Sequence, residues 1–503
     1  MTGGAAEAPA RFGSSSACFE QVLAWLEGDQ SAALSHGQLE DELECRGREL
    51  LRRLLQDHLS LRAASEARLP VVADEDEVVH SVLEPGHVRV LASVFGPVDV
   101  QRIAYRHRGH RNLHPGDGVL NLPVERHSHG LRRLAAIESA RGSFEQAAGA
   151  ITRATGQHLG KRQVEALAAR AAADVQDFYA SAPRRQPQEN DVLVISADGK
   201  GIVMRPDALR AATAKAAAKA SPKLATRLSK GEKRNRKRMA EVGAVYDLTP
   251  VPRCATDVLA SDKSDPDPPA PPVSTAKNKW VTASVVQDAA TVIAAVFDQA
   301  ERCDPGHART WVALVDGNNH QIDRINAESD TRGITVPILI DFIHVLEYLW
   351  GAAWCFFPEA DPGAEAWVRE RALAILHGDA RQVAAGIRRR ATTAKLPKAK
   401  RGKADACATY LINKTSYLDY PRALAAGWPI ATGIIEGACR SLVADRMDIT
   451  GARWSVDGAE AVLKLRAVRA NNDFDTYWRY HLARERHRVH ESRYANDVIP
   501  RAA

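Results

Sequence analysis

The chain has 503 residues, of which 45% are hydrophobic and 6% aromatic, and its formal net charge is +6. A chain of this length can form about two to four domains with substantial hydrophobic cores. It contains no uninterrupted apolar run of about eighteen residues, which argues against a membrane span, and its N-terminus lacks the pattern of an export signal. We therefore expect a cytoplasmic protein with no membrane partner.

Cysteine usage favours the same compartment. The seven cysteines are scattered, odd in number and without a CxxC pair. This pattern is typical of reduced thiols in a cytosolic protein rather than of disulfides or a zinc–thiolate site. The residues are Cys18, Cys45, Cys254, Cys303, Cys355, Cys407 and Cys439.

Positive charge is concentrated in two segments. Residues 210–238 contain eleven lysines and arginines and one acid, and residues 381–403 contain nine basic residues and no acid. Such segregation indicates a polyanionic partner for particular surfaces, with nucleic acid as the leading candidate. The alternative is that both segments are solubilising, partly disordered basic loops.

The first part of the chain is predicted to be largely helical. Residues 1–20 are expected to be disordered, whereas apolar residues recur at helical spacing from Glu20 to Leu69. That segment is either a docking or dimerising arm or one wall of a small domain. Two β-prone runs on either side of Gly96-Pro97 predict a hairpin over Val88–Tyr105.

A segment rich in histidine and arginine, RHRGHRNLHPGDG, follows the hairpin. His107, His110 and His114 are potential metal ligands, but no cysteine lies nearby and their spacing matches no standard zinc set. We interpret the segment as a basic loop.

Residues 143–179 have the outline of a helix-turn-helix. Ser143 and Gln146 form a capping box, an apolar helical face follows, and the glycines of residues 156–160 interrupt it. The next helix opens with Lys161-Arg162-Gln163, as expected of a helix that reads DNA. A plain helical hairpin is the alternative.

The segment Asp191–Met204, DVLVISADGKGIVM, is predicted to be a buried strand that ends in one carboxylate, Asp198. Gly199 and Gly201 follow it closely and, having no side chains, leave room for a close approach to the backbone. The alternative is an ordinary core strand followed by a turn Asp, because Asp-Gly is a common turn pair.

Further strands and helices alternate after this strand. Two of the strands end in Asp316 and Asp341, and a late helix carries Glu436. The predicted elements are a strand over Ala240–Leu248, a helix over Val281–Glu301, strands over Trp311–Val315 and Thr335–Ile340, an apolar helix over Val345–Phe357, helices within 360–425, a helix over Ile434–Met447 and a helical tail over Ala459–Arg493.

Carboxylates on separate elements are the ligands that magnesium prefers, with waters and phosphate oxygens completing its shell. Two such ions about 3.5–4 Å apart can activate a water or a 3′-hydroxyl and stabilise the leaving oxygen in phosphodiester transfer. A carboxylate on a rigid central strand is suited to bridge them, and Asp198 occupies such a position.

Several motifs resemble those of ISKra-type bacterial insertion-sequence transposases and, more broadly, of DDE transposases with a ribonuclease-H-like catalytic domain. The resemblance covers about two thirds of the chain, from Ser143 to Asp473, and rests on the order of short motifs. These are DVLVISADGKGIVM, LSKGEKRNRKRMAEVGAVYD, WVALVDGNN, DFIHVLEYLW and TGIIEGACRSLVADRMDITGARWS.

The resemblance implies that Asp198, Asp316 and Glu436 are the catalytic residues and hold two Mg²⁺ ions, with Mn²⁺ as an alternative. Asp341 and His344 match a supporting Asp-x-x-His element; Asp341 is the rival to Asp316 as second ligand, and a helix N-cap with a packed histidine is its structural alternative. Arg440, four residues after Glu436, would contact a phosphate or the carboxylate, or form a surface ion pair.

The expected fold class is an α/β catalytic core, a ribonuclease-H-like mixed sheet with flanking helices and a helical insertion, preceded by a mostly α-helical DNA-binding region. The expected divisions are residues 1–80 (helical arm with a disordered start), 81–185 (hairpin plus helix-turn-helix), 186–345 (first part of the core), 346–428 (helical insertion), 429–475 (Glu-bearing helix) and 476–503 (charged helical tail).

The implied function is that of a DNA transposase in the bacterial cytoplasm, associated with the nucleoid. It would bind its element's terminal inverted repeats and target DNA, cleave and join strands, and act as a homo-oligomer. Two alternatives are a nuclease without strand transfer and a domesticated, non-catalytic DNA-binding protein. The expected DNA-binding residues are Lys161, Arg162, Gln163, Lys233, Arg234, Arg236, Lys237, Arg238, Arg388, Arg389 and Arg390.

Overall fold

The computed structural model describes residues 11–181, 191–219, 224, 236–259, 275–449 and 451–501. Most of the first basic segment, including Lys233 and Arg234, lies outside these ranges, as does the Pro/Asp-rich stretch around 264–272. The expected disorder of residues 1–20 is wrong for its second half, because a helix already begins at Gly13.

The first described range is mostly helical and contains one hairpin. Its elements are α1 (Gly13–Leu26), α2 (Asp29–Ala32), α3 (His36–Ala64), β1 (Val82–Ser93), β2 (Gly96–Arg106), α4 (Pro115–Val119), α5 (His129–Arg141), α6 (Phe144–Thr155), α7 (Lys161–Ala171) and α8 (Val175–Ser181). The predicted helical arm, hairpin and helix pair are therefore confirmed, with β1 starting six residues earlier than predicted.

The remaining ranges alternate strands and helices and then become helical. The elements are β3 (Val192–Val203), α9 (Ala211–Lys219), β4 (Lys237–Leu248), α10 (Ala255–Val258), β5 (Ala276–Ser284), α11 (Ala289–Cys303), β6 (Trp311–Val315), α12 (Asn319–Arg332), β7 (Ile338–Ile340), α13 (Phe342–Ala353), α14 (Pro362–Leu376), α15 (Ala380–Thr393), α16 (Lys398–Asn413), α17 (Tyr420–Ala425), α18 (Gly433–Ala438), a π-helical segment (Cys439–Ala444), α19 (Asp445–Met447), α20 (Val456–Ala470) and α21 (Phe474–Val489).

The chain forms two compact units. The first, called here the N-terminal unit, comprises Met1–Ala180 and Asp473–Ala503; the second, the sheet unit, comprises Ser181–Asn472. The charged C-terminal helix α21 thus packs within the N-terminal unit. Among the described residues, no helix is both long enough and apolar enough to span a bilayer.

In the N-terminal unit, α5, α6 and α7 enclose one apolar cluster that includes Leu131, Ile151 and Leu167. Local sequence signals determine this arrangement. Ser143 caps α6 through the predicted capping box, and Gly156 ends it in the left-handed conformation at φ 69°. Because glycine has no Cβ, it adopts this conformation at little cost and lets the chain turn into α7.

A buried ionic network joins α21 to α5 and to Asp174, the residue directly before α8, in the same unit. His481 lies between two carboxylates, with Nδ1 2.6 Å from Asp174 Oδ2 and Nε2 3.2 Å from Glu485 Oε2. Arg132 donates to Glu485, and Arg488 donates to both oxygens of Asp174 at 2.8 and 3.0 Å. Each buried charge therefore has opposite charges beside it, which offsets much of its desolvation cost.

The sheet unit is built on one mixed five-stranded sheet with the order β5-β4-β3-β6-β7. The central strand β3 pairs antiparallel with β4 and parallel with β6; β5 is antiparallel to β4, and β7 is parallel to β6. The predicted α/β class is confirmed. Strand β3 is buried from Val192 to Ala197, which explains its continuous apolar sequence.

Two predictions about this sheet are wrong. The sequence predicts a strand that ends at Asp198, but β3 continues to Val203 because it keeps pairing with β4 as far as Lys237. It also predicts a helix from Val281 to Glu301. Residues 281–284 instead complete β5 on the edge of the sheet, and the helix α11 begins at Ala289, where the Asp288 side chain accepts a hydrogen bond from Thr291 N.

The predicted helical region between β7 and Glu436 is confirmed. Helices α13 to α17 form a large apolar cluster together with Val194, Leu314 and Leu339 from one face of the sheet. This helical block places α18, with Glu436 in its first turn, next to the sheet.

A candidate metal centre at the ends of the parallel strands

Strand register brings three aspartates to one level of the sheet. Ile195 of β3 pairs with Ala313 of β6, which pairs with Ile338 of β7. Asp198, Asp316 and Asp341 each lie three residues after one of these paired residues. Because β3, β6 and β7 are parallel, these residues follow the paired segments at the same edge of the sheet.

Asp341 is completely buried and caps helix α13. Its Oδ1 accepts a hydrogen bond from Ile343 N at 2.7 Å, and its Oδ2 accepts one from Thr432 N at 2.9 Å and another from the Thr432 hydroxyl. The helix-cap interpretation is therefore confirmed. Since Thr432 is the residue directly before α18, Asp341 also fixes the start of the helix that carries Glu436.

Asp341, His344 and Glu436 form a group whose potential ligand atoms all lie within 4.8 Å of one another. The three residues differ in exposure, with Asp341 buried, His344 half-buried and Glu436 exposed. Asp198 and Asp316 do not belong to this group. The structure thus places the rival residue Asp341 beside Glu436, and the assignment of Asp198, Asp316 and Glu436 as joint metal ligands stays a prediction.

Asp198 faces the helical segment after Glu436. Its Oδ2 accepts a hydrogen bond from the Cys439 thiol at 3.3 Å, and its Oδ1 contacts Gly199 N at 2.6 Å. Burial, reinforced by the negative charge of Asp198, raises the pKa of Cys439 well above its usual range, so the thiol stays a donor. Cys439 opens the π-helical segment, a type of helical irregularity that is frequent at functional sites.

Asp316 follows β6 directly, as predicted, and is half-buried. Its Oδ1 accepts a hydrogen bond from Asn318 N at 2.8 Å, and its backbone carbonyl accepts one from the Tyr410 hydroxyl at 3.2 Å. Gly317 has φ 90°, and a Cβ there would come within 2.8 Å of that hydroxyl. The turn that carries Asp316 is therefore held between β6 and α16.

A further carboxylate, Glu241, was not selected by the sequence analysis. It pairs with Gly199 across β3 and β4, one position beyond Asp198, and burial together with the Asp198 charge raises its pKa. No motif marks Glu241; only the register of β4 against β3 brings it to this edge. A Cβ on Gly199 would meet Met239 Cε at 2.9 Å, so the space beside this glycine is taken by side chains of β4.

Arg440 does not contact Glu436 in the structure. Its side chain is 83% exposed and lies 3.7 Å from Asp445 Oδ1, which corresponds to the surface ion pair among the alternatives. His344 Nδ1 lies 3.3 Å from Glu347 Oε2 on the same helix.

The candidate DNA-binding residues are not all equally exposed. Lys161, Arg162 and Gln163 are exposed at the start of α7, with the Lys161 ammonium 2.7 Å from Glu145 Oε2. Gln163 Oε1 accepts a hydrogen bond from Gly160 N at 3.0 Å, which makes it a helix cap as well as a candidate reader.

In the two basic segments, Arg236, Lys237, Arg388 and Arg389 are exposed. Two other arginines are used inside the fold. Arg238 donates to Val285 O at 2.8 Å, and the Arg390 guanidinium lies 4.8 Å from the ring of Phe356 and 4.5 Å from that of Phe357.

The chain matches no protein-family model and has no significant match among curated protein sequences. Chemically, the candidate residues Asp198, Asp316, Asp341, Glu436 and His344 form a donor set dominated by the hard oxygen ligands that Mg²⁺ and Mn²⁺ prefer.

Proposed function

We propose that this protein is a DNA transposase of the DDE type with a ribonuclease-H-like catalytic core. It binds the terminal inverted repeats of an insertion sequence, cleaves phosphodiester bonds and joins the freed 3′-hydroxyls to target DNA. The observation that carries the proposal is the register that aligns Asp198, Asp316 and Asp341, with Glu436 on a helix fixed to Asp341 through Thr432.

The sheet topology supports the ribonuclease-H-like core. The first three strands, β3 to β5, form an antiparallel meander, and β6 and β7 then add parallel to β3 on its other side. A helical block separates β7 from the Glu436 helix, which agrees with an insertion within such a core. The central strand therefore supplies one carboxylate and its parallel neighbours supply the next two.

Within this proposal, Asp198, Asp316 and Glu436 hold the metal ions, and Asp341 is a positioning residue. Three of the approximately four lone pairs of the Asp341 carboxylate already accept hydrogen bonds, whereas Asp316 is half-buried and uses Oδ1 to cap its own turn. When bound, Mg²⁺ supplies Lewis-acid stabilisation of the attacking and leaving oxygens. Cys439 holds the Asp198 carboxylate in place through its thiol.

Binding of the two element ends is assigned to the N-terminal unit, where α7 presents Lys161, Arg162 and Gln163. The exposed arginines and lysine of the two basic segments neutralise phosphates, so affinity should fall steeply with salt concentration. We further propose that a homo-oligomer holds two element ends in one complex and that the protein acts on DNA in the bacterial cytoplasm.

The proposal is tested with duplexes that carry the element's terminal repeats, incubated with Mg²⁺ or Mn²⁺ and a target plasmid. We expect cleavage and joined products, and from pre-cut ends joined products alone. Asp198→Asn should reduce both by at least about a hundredfold, because several kcal/mol of transition-state stabilisation are lost, while end binding persists. Cleavage without joining would favour a nuclease. Binding without either reaction would favour a domesticated DNA-binding protein, and a D198N rate equal to that of the wild type would refute the catalytic assignment.

A further inference from the structure

Asp74, His80 and His110 come together in the N-terminal unit, outside the site described above. Their potential ligand atoms all lie within 4.8 Å of one another. Asp74 Oδ2 is 3.0 Å from His80 Nε2 and 2.8 Å from His110 Nδ1. Asp74 and His80 are buried, whereas His110 is partly exposed and lies on the access side of the group.

The hydrogen bonds of His80 leave its Nε2 facing the Asp74 carboxylate. His80 Nδ1 lies 3.1 Å from the backbone carbonyl of Tyr105, which has no proton to give, so Nδ1 carries the proton and donates. In the neutral ring, Nε2 then points a lone pair at Asp74 Oδ2. The lone pair and the carboxylate repel each other, and a cation between them removes this repulsion. In metal-ligating histidines, the ring nitrogen that does not bind the metal commonly donates to a backbone carbonyl, as Nδ1 of His80 does here.

Asp74 is held in a matching orientation. Its Oδ1 accepts hydrogen bonds from Asp76 N at 3.1 Å and Val78 N at 2.9 Å, which turns Oδ2 towards both histidines. Ligand atoms about 2.0–2.1 Å from a tetrahedral zinc ion lie roughly 3.3 Å apart. The measured separations of 3.0 and 2.8 Å need to open by only a few tenths of an ångström.

A candidate for a fourth ligand lies near these three residues. The ring of His107 lies 5.2 Å from that of His110 and 6.0 Å from that of His80, and its Nδ1 is 3.1 Å from the Val79 carbonyl. That carbonyl again leaves Nε2 as the free nitrogen. His107 is not a member of the three-residue group, so a water, or His107 after a side-chain rotation, would complete a four-coordinate site.

We propose that Asp74, His80 and His110 form a structural Zn²⁺ site. The ion connects the turn at residues 73–79, the loop after β2 and, through the bridge between Asp74 and Tyr494, the C-terminal segment. It thereby stabilises the folded N-terminal unit. The inference is independent of the proposed catalysis, because none of its ligands lies in the sheet unit.

The test uses the full-length chain with Glu436→Gln in the background, so that the catalytic carboxylates contribute less to metal binding. Zinc-depleted protein is titrated with Zn²⁺ by calorimetry and with Co²⁺ by visible absorption, which reports tetrahedral geometry. His110→Ala removes an exposed ligand and is expected to fold. His36→Gln is the matched control, because the His36 side chain is 86% exposed on α3.

We expect one equivalent of Zn²⁺ to bind, a tetrahedral Co²⁺ spectrum, and a rise in Tm on adding Zn²⁺. His110→Ala should weaken Zn²⁺ binding at least about tenfold and abolish the Co²⁺ spectrum, since it removes a direct ligand. H36Q should bind like its parent. The absence of stoichiometric binding, or equal affinity in H110A and its parent, would overturn the proposal and leave His80 and His110 as hydrogen-bonding partners of Asp74.

Discussion

At the scale of single residues, the carboxylates of the candidate site differ in burial and in the number of hydrogen bonds that they accept. Asp341 is completely buried and accepts three hydrogen bonds, two of them from Thr432. Asp316 is half-buried in a turn and Glu436 is exposed. Metal binding favours carboxylates whose oxygens are free to turn towards an ion. We therefore propose a positioning role for Asp341, although its ligand atom lies within 4.8 Å of that of Glu436.

This distinction predicts different consequences for two isosteric changes. Asp316→Asn should lower the cleavage rate at least about a hundredfold with little change in Tm, because it removes a metal ligand from a half-buried turn. Asp341→Asn should destabilise the protein by about 1–3 kcal/mol, because the amide would turn a buried donor towards the donors of Thr432 or leave them unpaired. Cleavage assays and thermal unfolding measure the two effects.

Thr432→Val provides the control for position 341. It removes the hydroxyl that donates to Asp341 and keeps the carboxylate, so it should raise the Mg²⁺ concentration needed for half-maximal cleavage through displacement of Glu436. If D341N abolished cleavage at unchanged Tm while D316N left the rate intact, the roles of the two aspartates would have to be exchanged.

Sequence could identify these residues where the signals are local. Asp316 and Asp341 directly follow short apolar strands, and Glu436 lies in the first turn of an amphipathic helix. It could not place Glu241 opposite Gly199, next to Asp198 in the sheet, because that position depends on the register of β4 against β3. Nor could it assemble Asp74 with His110, because their meeting depends on how the hairpin and its loops fold together.

At the scale of elements, the sequence predicts boundaries that adjacent residues determine better than boundaries that strand pairing determines. The capping box at Ser143 and the left-handed Gly156 are properties of a few adjacent residues, so α6 has the predicted bounds. Strand β3 runs past Asp198 because β4, more than thirty residues away, supplies partners up to Val203. The predicted amphipathic helix begins at Val281, yet pairing with β4 makes residues 281–284 part of β5.

The helix α7 carries a prediction about DNA affinity. Replacing Lys161 and Arg162 with alanine should weaken end binding by about tenfold or more and flatten the slope of log affinity against log salt concentration by about two, because two phosphate contacts are lost. Fluorescence anisotropy with labelled repeat ends, measured from low to physiological salt, gives both quantities.

A matched pair separates this effect from a change in total charge. Arg479 and Arg484 are also exposed, on α21 in the same unit, and their double alanine variant removes the same charge. Equal losses in the two double variants would mean that DNA responds to the charge of the unit as a whole rather than to α7.

At the scale of the whole molecule, the N-terminal unit is built from two separate parts of the chain, whereas the sheet unit is one continuous stretch. The N-terminal unit includes α21, and the buried network around His481 connects that helix to α5 and to Asp174, directly before α8. The sequence pattern alone could not predict that α21 packs in this unit, because its many charged residues are typical of a solvent-exposed helix. The network also makes the stability of this unit dependent on pH.

The sign of that dependence follows from the partners of each group. Burial disfavours the charged form of His481, but its hydrogen bonds to Asp174 and Glu485 outweigh burial and raise its pKa above the ordinary 6.5, despite nearby Arg132. Its stabilising contribution is therefore complete below about pH 6.5 and is lost as the pH rises through the raised value. Burial likewise opposes ionisation of Asp174 and Glu485, yet their partners hold both pKa values well below the usual range, so their contribution is lost as the pH falls below about 4.5.

We therefore expect amide-exchange protection of the α21 peptide to be greatest between about pH 5 and 6.5. On the alkaline side it should fall by up to tenfold for each pH unit by which the folded pKa of His481 exceeds the unfolded one. His481→Gln should lower protection at pH 6 and remove most of this alkaline decline. His487→Gln changes a half-exposed histidine on the same helix and should keep the wild-type profile. An alkaline decline that survives in H481Q would assign the pH dependence to another group and leave the His481 network pH-insensitive in this range.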